Sequence, residues 1–167
     1  MLTAGNDTNQ FTSDSFSSLA TVVVSDGTLS GSDLADSIDQ ANTARGNTSA
    51  VFTISNATTI NGSEANFTDL LTDETNNQIV IDSQNLTVNS GTISVDNSNL
   101  LAATTSGKVT ATIDTSETVT ELATLSADGG ANDLTVVIRA ADATAATAAQ
   151  LNTINDATAV AVNLTNV

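Results

Sequence analysis

The chain has no cysteine, histidine, proline, tyrosine or tryptophan, and only three basic residues among its 167. Without cysteine there are no disulfides, and the redox compartment stays open. Lacking both His and Cys, the chain cannot build a Ser/His/Asp or Cys/His nucleophile system, nor an imidazole or thiolate metal site. The absence of Pro permits strands and helices everywhere and removes slow prolyl isomerisation from folding. Four Phe are the whole aromatic complement, so the core must be made of short aliphatic side chains in thin layers. Thin layers suit stacked repeats. No apolar run approaches the ~20 residues of a membrane helix. The start, Met1-Leu2-Thr3-Ala4-Gly5-Asn6-Asp7, has neither the basic nor the apolar region of a secretory signal.

Nineteen acidic residues face Arg45, Lys108 and Arg139, for a formal net charge of −16. Such a surface repels phosphate backbones and anionic lipids, so neither nucleic acid nor membrane is expected as a partner. Charged residues are only 13% of the chain, and solvation accounts for them. The functional alternatives are an acidic docking face or adaptation to salty water, where screening shortens the reach of charge to a few ångströms.

What is present is a recurrence. β-branched runs at Thr21 to Val24, Val51 to Ile54, Gln78 to Ile81, Lys108 to Ile113, Leu134 to Ile138 and Ala159 to Leu164 are separated by stretches with apolar residues three or four apart. The period is about 25 to 30 residues, and a strand-helix unit of that size cannot bury its apolar face alone. The expected fold is α/β: degenerate repeats of strand plus short helix, a mainly parallel sheet with helices packed on it, solenoid-like, in a single domain. Residues 1–19 read as a polar N-terminal arm and 20–167 as the repeat domain. Phe11, Phe16 and Leu19 are the arm's isolated apolar positions and the candidate interface residues; they either pack back onto the stack or insert into a neighbouring subunit.

In detail, a helix is expected over 33–44 with Leu34, Ile38 and Ala41 on one face. A second covers 64–75, capped by Ser63, with Phe67, Leu70 and Leu71 inward. Two segments, 85–88 and 92–95, around Asn89-Ser90-Gly91 read as a hairpin. Further helices are expected at 97–104, at 116–126 from a Thr115 or Ser116 cap with Val119, Leu122 and Leu125 inward, and at 143–155 from Asp142 or Thr144 with Leu151 and Ile154. The last strand, 159–164, alternates and reads as an edge. Val24, Ile54, Ile81, Val109, Val136 and Ile138 are expected in the core.

Ala143-Thr144-Ala145-Ala146-Thr147-Ala148-Ala149-Gln150-Leu151-Asn152-Thr153-Ile154 resembles the TATAAELNxLxG unit of phage tail fibres. The stretch Thr21 to Ile38 is similar to strand-helix repeats of very long surface proteins of marine cyanobacteria and of virion proteins of their phages. Together the two likenesses cover about two-thirds of the chain, in degenerate form. The resemblance implies a structural or adhesive, non-enzymatic protein with no catalytic or cofactor residues to carry over. It implies other virion proteins of capsid or tail, and copies of itself, as partners. Against the giant surface proteins the chain is short and reads as complete, which favours a virion component: a capsid decoration or knob protein, made in the host cytoplasm and carried on the particle surface. A repeat segment of a bacterial cell-surface adhesin or matrix protein is the alternative.

Chemistry elsewhere is sparse. Asp33/Asp36, Asp69/Asp73/Glu74 and Glu117/Glu121 are spaced to neighbour on helices, but a carboxylate hydrolase of sugars needs a cleft with aromatic platforms. Asp26-Gly27, Asp82 with Asp96, and Asp128 to Asp133 offer oxygen ligands for calcium. None follows an EF-hand loop or a nonapeptide repeat, and Asp/Asn/Gly turns have a backbone explanation. Gly129-Gly130 lacks the lysine of a phosphate loop. Sequons such as Asn56-Ala57-Thr58 and Asn85-Leu86-Thr87 are expected by chance in so Asn/Thr-rich a chain. No metal or cofactor is therefore expected.

Overall fold

The computed structural model describes residues 21–24, 28–31, 51–54, 57–126 and 132–165. The strands are β1 (Thr21–Val24), β2 (Thr28–Ser30), β3 (Val51–Ile54), β4 (Thr59–Ser63), β5 (Ile79–Val80), β6 (Asn85–Ser90), β7 (Val109–Thr112) and β8 (Asp133–Thr135). The helices are α1 (Glu64–Thr75), α2 (Val95–Thr104), α3 (Val119–Leu122) and α4 (Ala148–Asp156), with a 3-10 turn at Ala140–Asp142.

Among the described residues every strand pairing is parallel. One sheet has the order β1-β3-β5 and the other β2-β4-β6-β7-β8. Neighbouring strands in each sheet therefore come from successive passes of the chain. Thr28 lies beside Thr59, Thr59 beside Asn85, Leu86 beside Val109 and Thr110 beside Asp133. The expected α/β class with parallel sheets and packed helices is what the chain adopts.

Side chains alternate across a strand, and this decides the faces of the larger sheet. Ile60, Leu86, Val88, Val109, Ala111, Leu134 and Val136 are buried, whereas Asn61, Thr87, Thr110, Thr112 and Thr135 are half-buried or exposed. Onto the apolar face the helices deliver Phe67 and Leu70 from α1, Val95, Leu101 and Ala102 from α2, Val119 and Leu122 from α3, and Ile154 from α4. Each helix starts where a Ser or Thr hydroxyl accepts the N3 amide: Ser63 from Asn66, Ser94 from Asn97, Thr118 from Glu121 and Thr147 from Gln150. At Ser63, Thr118 and Thr147 the N3 side chain reciprocates, completing a capping box.

Two buried hydroxyls repeat one device between passes. Thr105 Oγ1 donates to the Gln84 carbonyl at 2.6 Å and accepts the Gly107 amide at 2.9 Å. Thr158 Oγ1 donates to the Leu134 carbonyl at 2.8 Å and accepts the Val160 amide at 3.1 Å. Each threonine ties the chain to the pass before it. Gly107 lies so close to that pass that an added Cβ would sit 2.4 Å from the Gln84 carbonyl oxygen.

Several expectations are corrected. The segment 85–95 is not a hairpin. β6 is flanked on both edges by parallel partners, Ile93 bridges in parallel to Ile113, and Ser94 caps α2. Gly91 does take a left-handed conformation (φ 79), but the turn redirects the chain into a helix because both edges of β6 are already occupied. Thr28–Ser30 and Thr59–Ser63, which no expected strand covers, form strands, since parallel neighbours supply the partners that short polar runs do not advertise. α2 starts at Val95, two residues early. α3 is one turn capped by Thr118, and Leu125 is buried just beyond it. The 143–155 helix begins only at Ala148, because Thr147 with Gln150 outcompetes Asp142 and Thr144 as a cap. The final run makes one isolated parallel bridge, Asn163 to Val137, in place of a strand. Ile81, Val109, Val136 and Ile138 are buried as expected; Ile54 is only half-buried, and the Val24 side chain lies outside the described residues, as does the 33–44 helix.

Leu122→Ala should lower stability by about 2–5 kcal/mol, the range for emptying a core leucine site. The exposed Leu100, replaced by Ala, should shift it by no more than about 0.5 kcal/mol. Gly107→Ala should destabilise by about 1–3 kcal/mol, because its contact is backbone and cannot rotate away. Urea denaturation midpoints at constant m-value check all three; equal effects for the two leucines would contradict the assigned core.

Candidate functional site

The acidic side chains hold the passes together. Glu64, the first residue of α1, accepts through Oε1 from the Ser94 amide at 3.0 Å, the Ser94 hydroxyl at 3.1 Å and the Asn97 side-chain amide at 2.8 Å. It therefore sits over the start of α2, where the first amides of a helix have no intrahelical acceptor and the dipole favours negative charge. Glu117 Oε1 accepts the Val95 amide at 3.0 Å, and Asp142 Oδ2 accepts the Val119 amide at 3.3 Å. Asp142 is held in turn by Arg139 at 2.7 Å. Asn99 completes the pattern: its side chain donates to the Thr124 carbonyl at 2.9 Å and accepts the Ser126 amide at 2.8 Å.

Proton affinities follow from these bonds. Burial pushes the Glu64 carboxyl up, but the Ser94 amide, Asn97 and the Ser94 hydroxyl outweigh it and leave the group below its ordinary value. Asp142 is lowered by the Arg139 hydrogen bond, Glu121 by the Thr118 amide that closes its capping box, and Asp114 by the Ser116 amide.

The carboxylate pairs read from the sequence have separate duties. Glu74 accepts the Ile81 amide at 3.3 Å, and Glu117 and Glu121 serve different backbone amides. Asp69 is exposed, Asp73 is buried with its polar atoms engaged, and Asp33/Asp36 lie outside the described residues. Of the calcium candidates, Asp133 pairs with Lys108 at 3.0 Å, while Asp26 and residues 127–131 lie outside the described residues. Among the described residues no three acidic side chains converge to hold a metal ion, and no helix is long and apolar enough to cross a membrane. The interface candidates Phe11, Phe16 and Leu19 also lie outside the described residues.

Two grooves remain. The first, about 600 Å³, is lined by Ser30, Asn61, Gly62, Ser63, Asn66, Asn89 and Ser90, at the carboxyl ends of β2, β4 and β6. Open α/β sheets bind ligands at such ends. This one contains no titratable side chain, and Ser63 and Asn66, which line it, already satisfy the α1 terminus. The second, about 410 Å³, is more apolar and lies at the last pass, between Ala148, Leu151, Asn152 and Asn155 of α4 and Ala161, Val162 and Leu164. Sequence reasoning placed Leu151 inward and missed the groove; the alternation of Val160, Val162 and Leu164 was its only signal.

Because all four shifted carboxylates have lowered pKa values, the unfolded chain takes up protons first as pH falls. Their stabilisation is fully present above the ordinary value of 4.5 for Glu and is lost progressively below it. Glu64→Gln should lower stability by about 1 kcal/mol at pH 7, the value of a charge-assisted bond discounted for its exposure, and by progressively less as pH falls below 4.5. Parallel stability-pH curves for the two proteins would show that Glu64 carries none of this dependence. No family model, curated protein or solved structure matches the chain.

Proposed function

We propose that the chain is a non-enzymatic structural protein of the exterior of a phage virion, a capsid decoration or knob protein whose strand-helix units stack as a degenerate solenoid. The observation that carries this reading is the employment of the acidic side chains. Glu64, Glu117 and Asp142 each accept backbone amides of another pass, so the groups that would otherwise serve as acids, bases or ligands hold the stack together. A protein of this kind works by shape and by surface. Its partners are other virion proteins of capsid or tail and further copies of itself, and its net charge of −16 keeps the outward surface hydrated and soluble.

The anchor in this reading is the polar segment 1–19, with Phe11, Phe16 and Leu19 entering the particle. Two buried rings contribute a few kcal/mol before ordering is subtracted. The apolar groove at the last pass favours a second reading, a repeat segment of a bacterial cell-surface adhesin, because a longer stack would continue there.

Cosedimentation with emptied phage particles tests the first reading. The full chain should bind, and deletion of residues 2–18 should abolish binding while leaving the melting temperature nearly unchanged. A full chain that stays in the supernatant overturns the virion assignment, and a truncated chain that binds equally well removes the arm as anchor. Chelation of divalent cations should move the melting temperature by no more than about two degrees; a larger drop reversed by calcium would reveal ligand sites in the acidic turns.

A further inference from the structure

The last unit repeats the design of those before it, with two positions left unfilled. Four residues after each helix cap stand Phe67, Ser98, Leu122 and Leu151. The first three are buried, whereas Leu151 is half-exposed and lines the apolar groove. One residue after the cap, Val95 and Val119 are buried and their amides donate to Glu117 and Asp142 of the following unit. Ala148, at the same position of α4, is exposed, and its amide has no acceptor among the described residues. Beside it Leu164 is 44% exposed, and the backbone of Ala161 and Val162 makes no hydrogen bond among the described residues. What is missing is a carboxylate, which the starts of α2 and α3 receive from the following unit, and a parallel strand edge, which β4, β6 and β7 receive from the next strand.

At the opposite end, β1 pairs only with β3 and β2 only with β4 among the described residues. β2 thus ends the five-stranded sheet on one side, and β8, with residues 159–163 running beside 132–137, ends it on the other, both in parallel sense. We infer that the groove of the last unit seats the first unit of a second copy, so that chains associate head to tail. The operation that relates one pass to the next is a parallel step of about 4.8 Å, and repeating it across the chain boundary gives a heterologous contact that does not close. A net charge of −16 on each copy opposes this contact, which makes association a function of ionic strength. The occupant is the same whether the protein decorates a particle or a cell.

The inference rests on the stacked-unit reading, whose own failure would appear as an undiminished stability of Leu122→Ala. Sedimentation velocity of the full chain from nanomolar to millimolar concentration, at low salt and at about 1 M NaCl, is the test. The expected result is a concentration-dependent increase in mass that strengthens with salt as the Debye length falls to about 3 Å. Leu164→Asp and Ala161→Glu, both at exposed positions, should weaken association at least about tenfold with unchanged melting curves, while Val80→Asp on the smaller sheet should not. A chain that stays monomeric throughout, or one that associates equally well with both groove variants, overturns the inference. Because the chain has no cysteine, Leu164→Cys carries a unique photocrosslinker. Crosslinks from it to residues 21–30 of another copy support the proposal; crosslinks to residues 1–20 of the same chain show the groove filled by its own arm and overturn it.

Discussion

A parallel strand has backbone donors and acceptors on both edges and no local turn to bring it a partner, so each strand here depends on chain about one pass earlier and one pass later. That dependence organises the whole molecule. β6 is held between β4 and β7, and β7 between β6 and β8, and the connecting segments must travel out and return within 23 residues from Leu86 to Val109. A helix of about three turns or fewer, begun by a Ser or Thr cap and ended by a short turn, is a connection of the right length.

The helices create the second requirement. Each begins with amides that lack acceptors, and because the helices follow the strand stack their starts lie near residues of neighbouring passes. Carboxylates fill those places: Glu64 over α2, Glu117 beside Val95, Asp142 beside Val119. An acidic surplus in a chain nearly without cations is thus partly structural, with negative charge placed at positive helix ends. Two ion pairs, Lys108 with Asp133 and Arg139 with Asp142, employ two of the three basic residues. The net charge of −16 resists association at low ionic strength.

Thin aliphatic packing is the third constraint. With four Phe in the chain, the core is made mostly of Ile, Leu and Val drawn from successive passes, with Phe52 and Phe67 its largest members. No single residue dominates it. Leu151, Val162 and Leu164 line an open groove, whereas Phe67, Ser98 and Leu122, which stand where Leu151 does relative to their helix caps, are buried.

The α/β class with parallel strands, the Ser63 cap and most of the core were legible in the residues, because β-branched runs, capping chemistry and three-to-four spacing are local signals. Ile81, Val109, Leu122, Val136, Ile138 and Ile154 were readable for that reason. The lack of His and Cys likewise removed whole classes of chemistry without any coordinates. Only the tertiary structure decided the pairing of Thr28–Ser30 and Thr59–Ser63, which are short and polar and become strands because neighbours present matching edges. It also decided that Gly91 turns the chain into a helix, since a hairpin there would have needed an edge that β7 already occupied. The roles of Glu64, Glu117 and Asp142 were invisible along the chain, because each acts on an amide 22 to 30 residues away. Distance along the sequence hides what stacking places side by side.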